Sequence, residues 1–97
     1  MATYIMLANF TEQGIRNVKA SPDRAKAVGE MAKKCGVTIK DVYWTLGSYD
    51  VVAIYEAPDE ASVTALGLSI GVQGNVRTQT LRAFTHDEIK GIIGKIV

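Results

Sequence analysis

Four side chains in this sequence have the chemistry to hold or transform a small polar molecule: Trp44, Tyr49, Asp50 and His86. Tyr49 and Asp50 adjoin each other between two apolar runs, where a hairpin end is expected. A phenol beside a carboxylate at such a place orients a polar ligand or acts as an acid and base pair. Turn chemistry accounts for the same two residues more plainly, because aspartate commonly caps its own turn and tyrosine commonly packs its ring while its hydroxyl bonds to backbone. Trp44 shares a parity with Val42 and Leu46, so it belongs to the core, walls an apolar pocket or lies between subunits. His86 directly follows the helix-capping Thr85, a place where an exposed imidazole is ordinary, yet its titration near neutrality suits a ligand or acid-base role.

The remaining reactive groups point away from several chemistries. Cys35, the only cysteine, falls in the last turn of a helix on its apolar stripe, where the negative end of the dipole opposes thiolate formation; a buried, inert thiol is expected. Arg77 and Arg82 have opposite parities in one strand, so they do not line one cavity together without a bulge, and one of them is placed to pair with an acid across the sheet. Gly67, Gly71 and Gly74 lie within and after a helix, not between a strand and a helix start, which disfavours nucleotide binding. Asp41, Asp50, Glu56, Asp59 and Glu60 scatter over turns and strand ends and supply no spaced carboxylate pair for hydrolysis. With one cysteine and one histidine, neither a disulfide nor a zinc site of the Cys/His kind assembles within a chain, so no metal or cofactor is expected and metal-assisted chemistry would need ligands from two chains.

The elements that position these residues follow from periodicity. Thr3 to Asn9 reads as a strand that is apolar on both parities, with Ile5 and Leu7 on one face and Tyr4, Met6 and Ala8 on the other. Phe10 to Ala20 is an irregular lead-in with about two helical turns. Ser21, Pro22 and Asp23 start a helix, with Ser21 as its cap, that runs to about Lys34 with Ala25, Val28, Met31, Ala32 and Cys35 as its stripe and Gly36 as its stop. Val37 and Ile39 share one parity and Val42, Trp44 and Leu46 the other, which predicts a second strand that begins late or bulges near Lys40 and Asp41. Gly47 to Asp50 makes a hairpin turn into a third strand, Val51 to Ala57. Pro58, Asp59 and Glu60 open a second helix with Val63, Leu66 and Ile70 buried, and Val76 to Phe84 is a fourth strand. Thr85 and Glu88 have capping-box spacing before a helix carrying Ile89, Ile92, Ile93 and Ile96, which is expected to dock.

This order is the split βαβ arrangement of a ferredoxin-like α+β fold, βαββαβ plus a C-terminal helix, with a four-stranded antiparallel sheet and both main helices on one face. Two helices cover one face only, yet the first and third strands are apolar on both. The second face is therefore expected to stack on a second copy in a dimer. At 97 residues the chain is expected to be one domain, 1–97, small enough to gain from self-association. A formal charge of +1 with scattered Lys and Arg argues against a nucleic-acid partner. The apolar start is too short for a membrane span and has no basic lead, so a cytoplasmic, reducing setting without membrane attachment is expected.

The run from Trp44 to Asp59, with Gly47, Tyr49 and Asp50 in a Gly-x-Tyr-Asp pattern, closely resembles the signature segment of the GYD-domain family. The resemblance extends over nearly the whole chain, through Gly14-Ile15, Ser21-Pro22 and the stretch from Gly74 to Phe84. It implies a small bacterial-type protein of the dimeric α+β barrel group and no established reaction. Cofactor-independent monooxygenases, muconolactone-type isomerases and amino-acid-sensing domains share the fold but differ too much in chemistry for their activities to transfer. Their catalytic residues have no counterparts here.

Three functions stay open. The first is a homo-oligomer that binds a small molecule in or beside the barrel. The second is a cofactor-independent monooxygenase or isomerase with Tyr49, Asp50 and His86 around the pocket. The third is a structural assembly unit in which the C-terminal helix joins dimers.

Overall fold

β1, Ala2–Phe10, is extended because aromatic and branched residues alternate along it without a glycine or proline. It lies at the centre of the sheet. The computed structural model describes residues 1–97 and orders the four antiparallel strands β2-β3-β1-β4, where β2 is Thr38–Trp44, β3 is Val51–Ala57 and β4 is Val76–Ala83. Between β1 and β2 come a short helix α1, Glu12–Arg16, a single 3₁₀ turn, Val18–Ala20, and the long helix α2, Ser21–Lys34. Helix α3, Glu60–Val72, joins β3 to β4, and α4, His86–Ile93, follows β4. This is the ferredoxin-like α+β arrangement expected from the pattern. No helix is long and apolar enough to cross a membrane.

The register sorts the side chains into two faces. Tyr4, Met6 and Ala8 lie opposite Tyr55, Ala53 and Val51 and point toward the helices, and all six are buried. With Val63, Leu66 and Ile70 of α3 and Ala32 of α2 they make the core. On the other face Ile5 and Leu7 lie opposite Ile54 and Val52 and are flanked by Tyr43 and Leu81. Tyr43 and Leu81 are exposed and the central four are only half-buried, since the helices lie over the opposite side. The uncovered face is the one the alternation in β1 and β3 called for.

β2 does bulge, with the register shifting between Ile39 and Asp41. The extra residue reconciles the two parities, so that Ile39, Val42 and Trp44 all turn toward the helices.

Two expectations need correction. Ser21 is not the cap of α2: the 3₁₀ turn runs straight into the helix, Ser21 has helical dihedrals and its N–H bonds to Val18, which leaves its hydroxyl for another partner. Helix α4 does not dock within the chain. Its capping box is formed, between the Thr85 and Glu88 side chains and each other's backbone N–H, but none of its residues is buried. The Cα radius of gyration is 14.5 Å and the longest extent 50 Å, against about 12.5 Å for a compact chain of this length.

Candidate functional site

Ala8 and Ala53 sit diagonally on neighbouring strands β1 and β3, with Ala8 opposite Val51 and Ala53 opposite Met6, among the larger Phe10, Trp44 and Tyr55. Two methyl groups under a helix leave unfilled space. The result is a cavity of about 70 Å³ between the sheet, α2 and the end of α3, with an almost wholly apolar wall. Its lining includes Tyr55, 1% exposed, together with half-buried Arg24 and Asn75 and exposed Gln73 and Trp44, which open it to solvent.

The lining includes an unusual group. Tyr55 borders the cavity, and its buried hydroxyl has no hydrogen-bond partner, a state that costs about 1–3 kcal/mol for a buried polar atom. Burial also pushes the phenol from 10.0 up to about 12, because the low-dielectric surroundings disfavour the anion. Below about pH 10 the phenol is protonated in folded and unfolded chains alike, and nothing is lost. Between about pH 10 and 12 the unfolded chain gives up its proton first, so stability falls, by about 3 kcal/mol in all. In denaturant titrations Tyr55→Phe is expected to match or exceed the wild type at pH 7 and to lack this alkaline loss; equal slopes above pH 10 would contradict the assignment.

Side-chain and backbone hydrogen bonds hold the residues around the opening. The Trp44 indole N–H donates to the Ser21 hydroxyl at 3.0 Å and ties β2 to α2. The Arg24 guanidinium donates to the carbonyls of Asn17 at 2.7 Å and Gly14 at 3.4 Å, and no carboxylate pairs with it. α1 is itself held against the α3–β4 connection: Thr11 donates to Asn75 and Gly74 carbonyls, and the Gln13 amide donates to the Gln73 carbonyl and the Asn75 side chain. Gly14 is buried there so closely that a Cβ would stand 1.8 Å from the Asn75 carbonyl oxygen.

Of the four residues singled out in the sequence, Trp44 alone lines this cavity. Asp50 extends β3: its N–H donates to the Ala8 carbonyl at 2.9 Å and its carboxylate accepts the Phe10 N–H at 2.9 Å, so it stitches the hairpin end to β1. Tyr49 reaches across the sheet, its hydroxyl 3.4 Å from the Gln79 amide oxygen, on the uncovered face. His86 is exposed at the first position of α4. Cys35 is half-buried rather than buried. Arg82 finds its acid not across the sheet but in α4, with Glu88 at 3.1 Å, and its guanidinium lies over the Phe84 ring at 4.5 Å. The Thr85 backbone N–H, and then Arg82, hold the Glu88 carboxyl below its ordinary range.

Tyr55 and Arg24 were not singled out in the sequence, and Ser21 only as a helix cap. The signal for Tyr55 was its place in the helix-facing parity of β3, where a phenol in a row of Val and Ala must find a buried partner or go without. No three His, Cys, Asp or Glu side chains stand close enough together to hold a metal ion.

Comparison with known proteins finds relatives of the chain. The model of the GYD domain matches residues 4–93. A Thermus thermophilus protein named as a glutamine synthetase and cystathionine beta-lyase binding protein is 37% identical over 84 residues, covering 86% of this chain and 88% of that protein. The crystal structure of the protein TTHA0845 from Thermus thermophilus superposes with a TM-score of 0.56 at 25% identity, over 88% of this chain and 95% of the other.

Proposed function

Because this chain belongs to the GYD domain family, we propose that it is a binding protein that holds a small molecule in the cavity between sheet and helices and pairs its open sheet face with a second copy. The observation that carries this reading is the unpartnered, buried hydroxyl of Tyr55, a residue that lines an apolar cavity. A buried donor without a partner is costly, and a ligand oxygen would satisfy it. The cavity has the usual make-up of a ligand site, mostly apolar with a few polar groups that converge on it. The pairing is supported by Ile5, Leu7, Val52 and Ile54, which need a covering layer that one chain lacks.

A second reading follows from the relative that is named for binding two enzymes: this protein engages an enzyme as its partner. The exposed isoleucines of α4 favour that role.

Native mass spectrometry tests both. The expected spectrum is an even-numbered oligomer that retains a small adduct after gentle purification, and a variant with the cavity filled, Ala25→Leu, should lose the adduct and keep the oligomer. A bare monomer with no adduct in either protein would refute the first reading. Spectra recorded with a glutamine synthetase or a cystathionine beta-lyase added decide the second, for which a mixed complex is required.

A further inference from the structure

The two edges of the sheet are unlike. β2 is blunted, because the bulge between Ile39 and Asp41 breaks its pairing and Lys40 and Asp41 put charge there. β4 has none of these devices: its register with β1 runs unbroken from Val76 to Ala83, and that stretch holds no proline, lysine or acid. None of its residues is buried. β4 pairs with β1 alone, and no backbone group of residues 76–82 bonds beyond that strand. Such an edge is a ready template for another strand.

Two helices beside that edge also lack cover. The only charged residue of α3 is Glu60, and Ala61, Ala65, Leu68 and Val72 make an exposed stripe along it, although a helix apolar all round is ordinarily covered on every side. Leu68 and Val72, toward its end, are 68% and 88% exposed. In α4, Ile89, Ile92 and Ile93 are exposed, and Glu88 ties the first turn to Arg82, which shares the helix-facing side of the sheet with Tyr4. Antiparallel pairing of β4 with the β4 of a second copy, about a two-fold axis normal to the sheet, sets the end of one strand beside the start of the other. α4 follows β4 after Phe84 and Thr85, and α3 precedes it by Gln73, Gly74 and Asn75. Each α4 therefore begins beside the end of the partner's α3.

The strand is compatible with its own copy. The faces of two sheets match only where residues of like parity stand opposite, and Arg77 and Arg82 have unlike parity, so they do not oppose each other. With the axis at Gln79, Thr78 faces the partner's Thr80 twice over, a favourable pair. Arg77 makes no ion pair within its chain, and it comes to the end of the seam where the partner's α4 opens with acidic residues. We infer that β4 docks on the β4 of a second copy, antiparallel about Gln79, with each α4 laid against Leu68 and Val72 of the other chain. This seam is separate from the stacking of open faces and joins stacked pairs into tetramers. A two-stranded seam is marginal in water, so it is the weaker of the two contacts.

Sedimentation equilibrium over a wide concentration range reads the seam. The wild type is expected to be a dimer when dilute and to pass to tetramers at millimolar concentration. Thr80→Lys puts an ammonium group on each side of the seam and should weaken the tetramer at least about tenfold; Thr80 is exposed, so the melting temperature should hold within a few degrees. Adding Thr78→Glu should restore the tetramer, since each lysine then faces the partner's glutamate. Val72→Asp and Ile92→Asp, at exposed positions, should weaken the same step. Ile54→Lys separates this seam from the stacked faces: its dilute monomer should form a weak dimer when concentrated, and Thr80→Lys should abolish that dimer. A wild type that stays dimeric at every concentration overturns the proposal and leaves the edge to a strand of another protein. A tetramer indifferent to Thr80→Lys overturns it as well, and failure of Thr78→Glu to restore it overturns the register. A tetramer that Thr80→Lys weakens but Val72→Asp and Ile92→Asp do not would remove the helix contact and leave α4 to an enzyme partner.

Discussion

Replacing Gly14 with alanine should cost about 3 kcal/mol, the upper part of the range for forcing atoms into a filled site, and lower the melting temperature by roughly 15 °C in a domain of this size. The reason is the nature of the neighbour. The added Cβ would stand 1.8 Å from the Asn75 carbonyl oxygen, and a backbone oxygen does not swing aside as a side chain does. That oxygen also accepts the Thr11 N–H at 3.0 Å, so relief of the clash breaks the bond that starts α1. The Gly14 carbonyl supports Arg24, and the damage therefore reaches the cavity mouth. Gly29→Ala supplies the contrast: nothing lies within 4 Å of its added Cβ, and in the interior of α2 the change should stabilise by about 0.5–1 kcal/mol. Calorimetry on the two variants decides the matter, and a Gly14→Ala melting point within a few degrees of the wild type would mean that α1 is not clamped as described.

The second large effect is on assembly. Ile54 lies at the middle of the uncovered face, beside Ile5 of β1 and opposite Asp41 of β2. In the proposed pairing, Ile54→Lys sets an ammonium group from each copy into an apolar layer, and with a cost of several kcal/mol per desolvated charge the dissociation constant should rise by at least about a thousandfold. The single chain should tolerate it, since Asp41 across the strand offers the new cation a partner. Sedimentation velocity should then show a folded monomer where the wild type is a dimer. A wild type that is already monomeric at high concentration would remove the basis of the pairing.

Much of the architecture could be read from local pattern. The strands, α2, α3, the bulge in β2 and the Thr85–Glu88 box each depend on residues a few positions apart, and the two-sided apolar character of β1 and β3 announced an uncovered face. What was hidden depends on long-range packing. Ser21 looks like a cap because Ser-Pro usually opens a helix, but the preceding 3₁₀ turn had already satisfied that end and left the hydroxyl for Trp44. Tyr55 reads as one more β-former until the fold shows that nothing answers its hydroxyl. Gly14 carries no positive φ to betray it; its importance lies in a carbonyl sixty residues away in the chain. The isoleucine stripe of α4 told that the helix is amphipathic but not against what it packs. Asp50 drew notice as a reactive group, and its carboxylate is found on the Phe10 N–H.

The bulge in β2 has a bearing on how the gene can change length. Lys40 is the surplus residue between Ile39 and Asp41, and its ion pair with Glu56, 3.8 Å apart and well exposed, contributes little. An in-frame loss of that one codon would heal the strand into plain alternation and leave Trp44 over the cavity. Loss of any codon from Val42 to Tyr43 would instead turn the indole outward. Within this strand, then, natural length variants should be found at the bulge, Lys40 and Asp41.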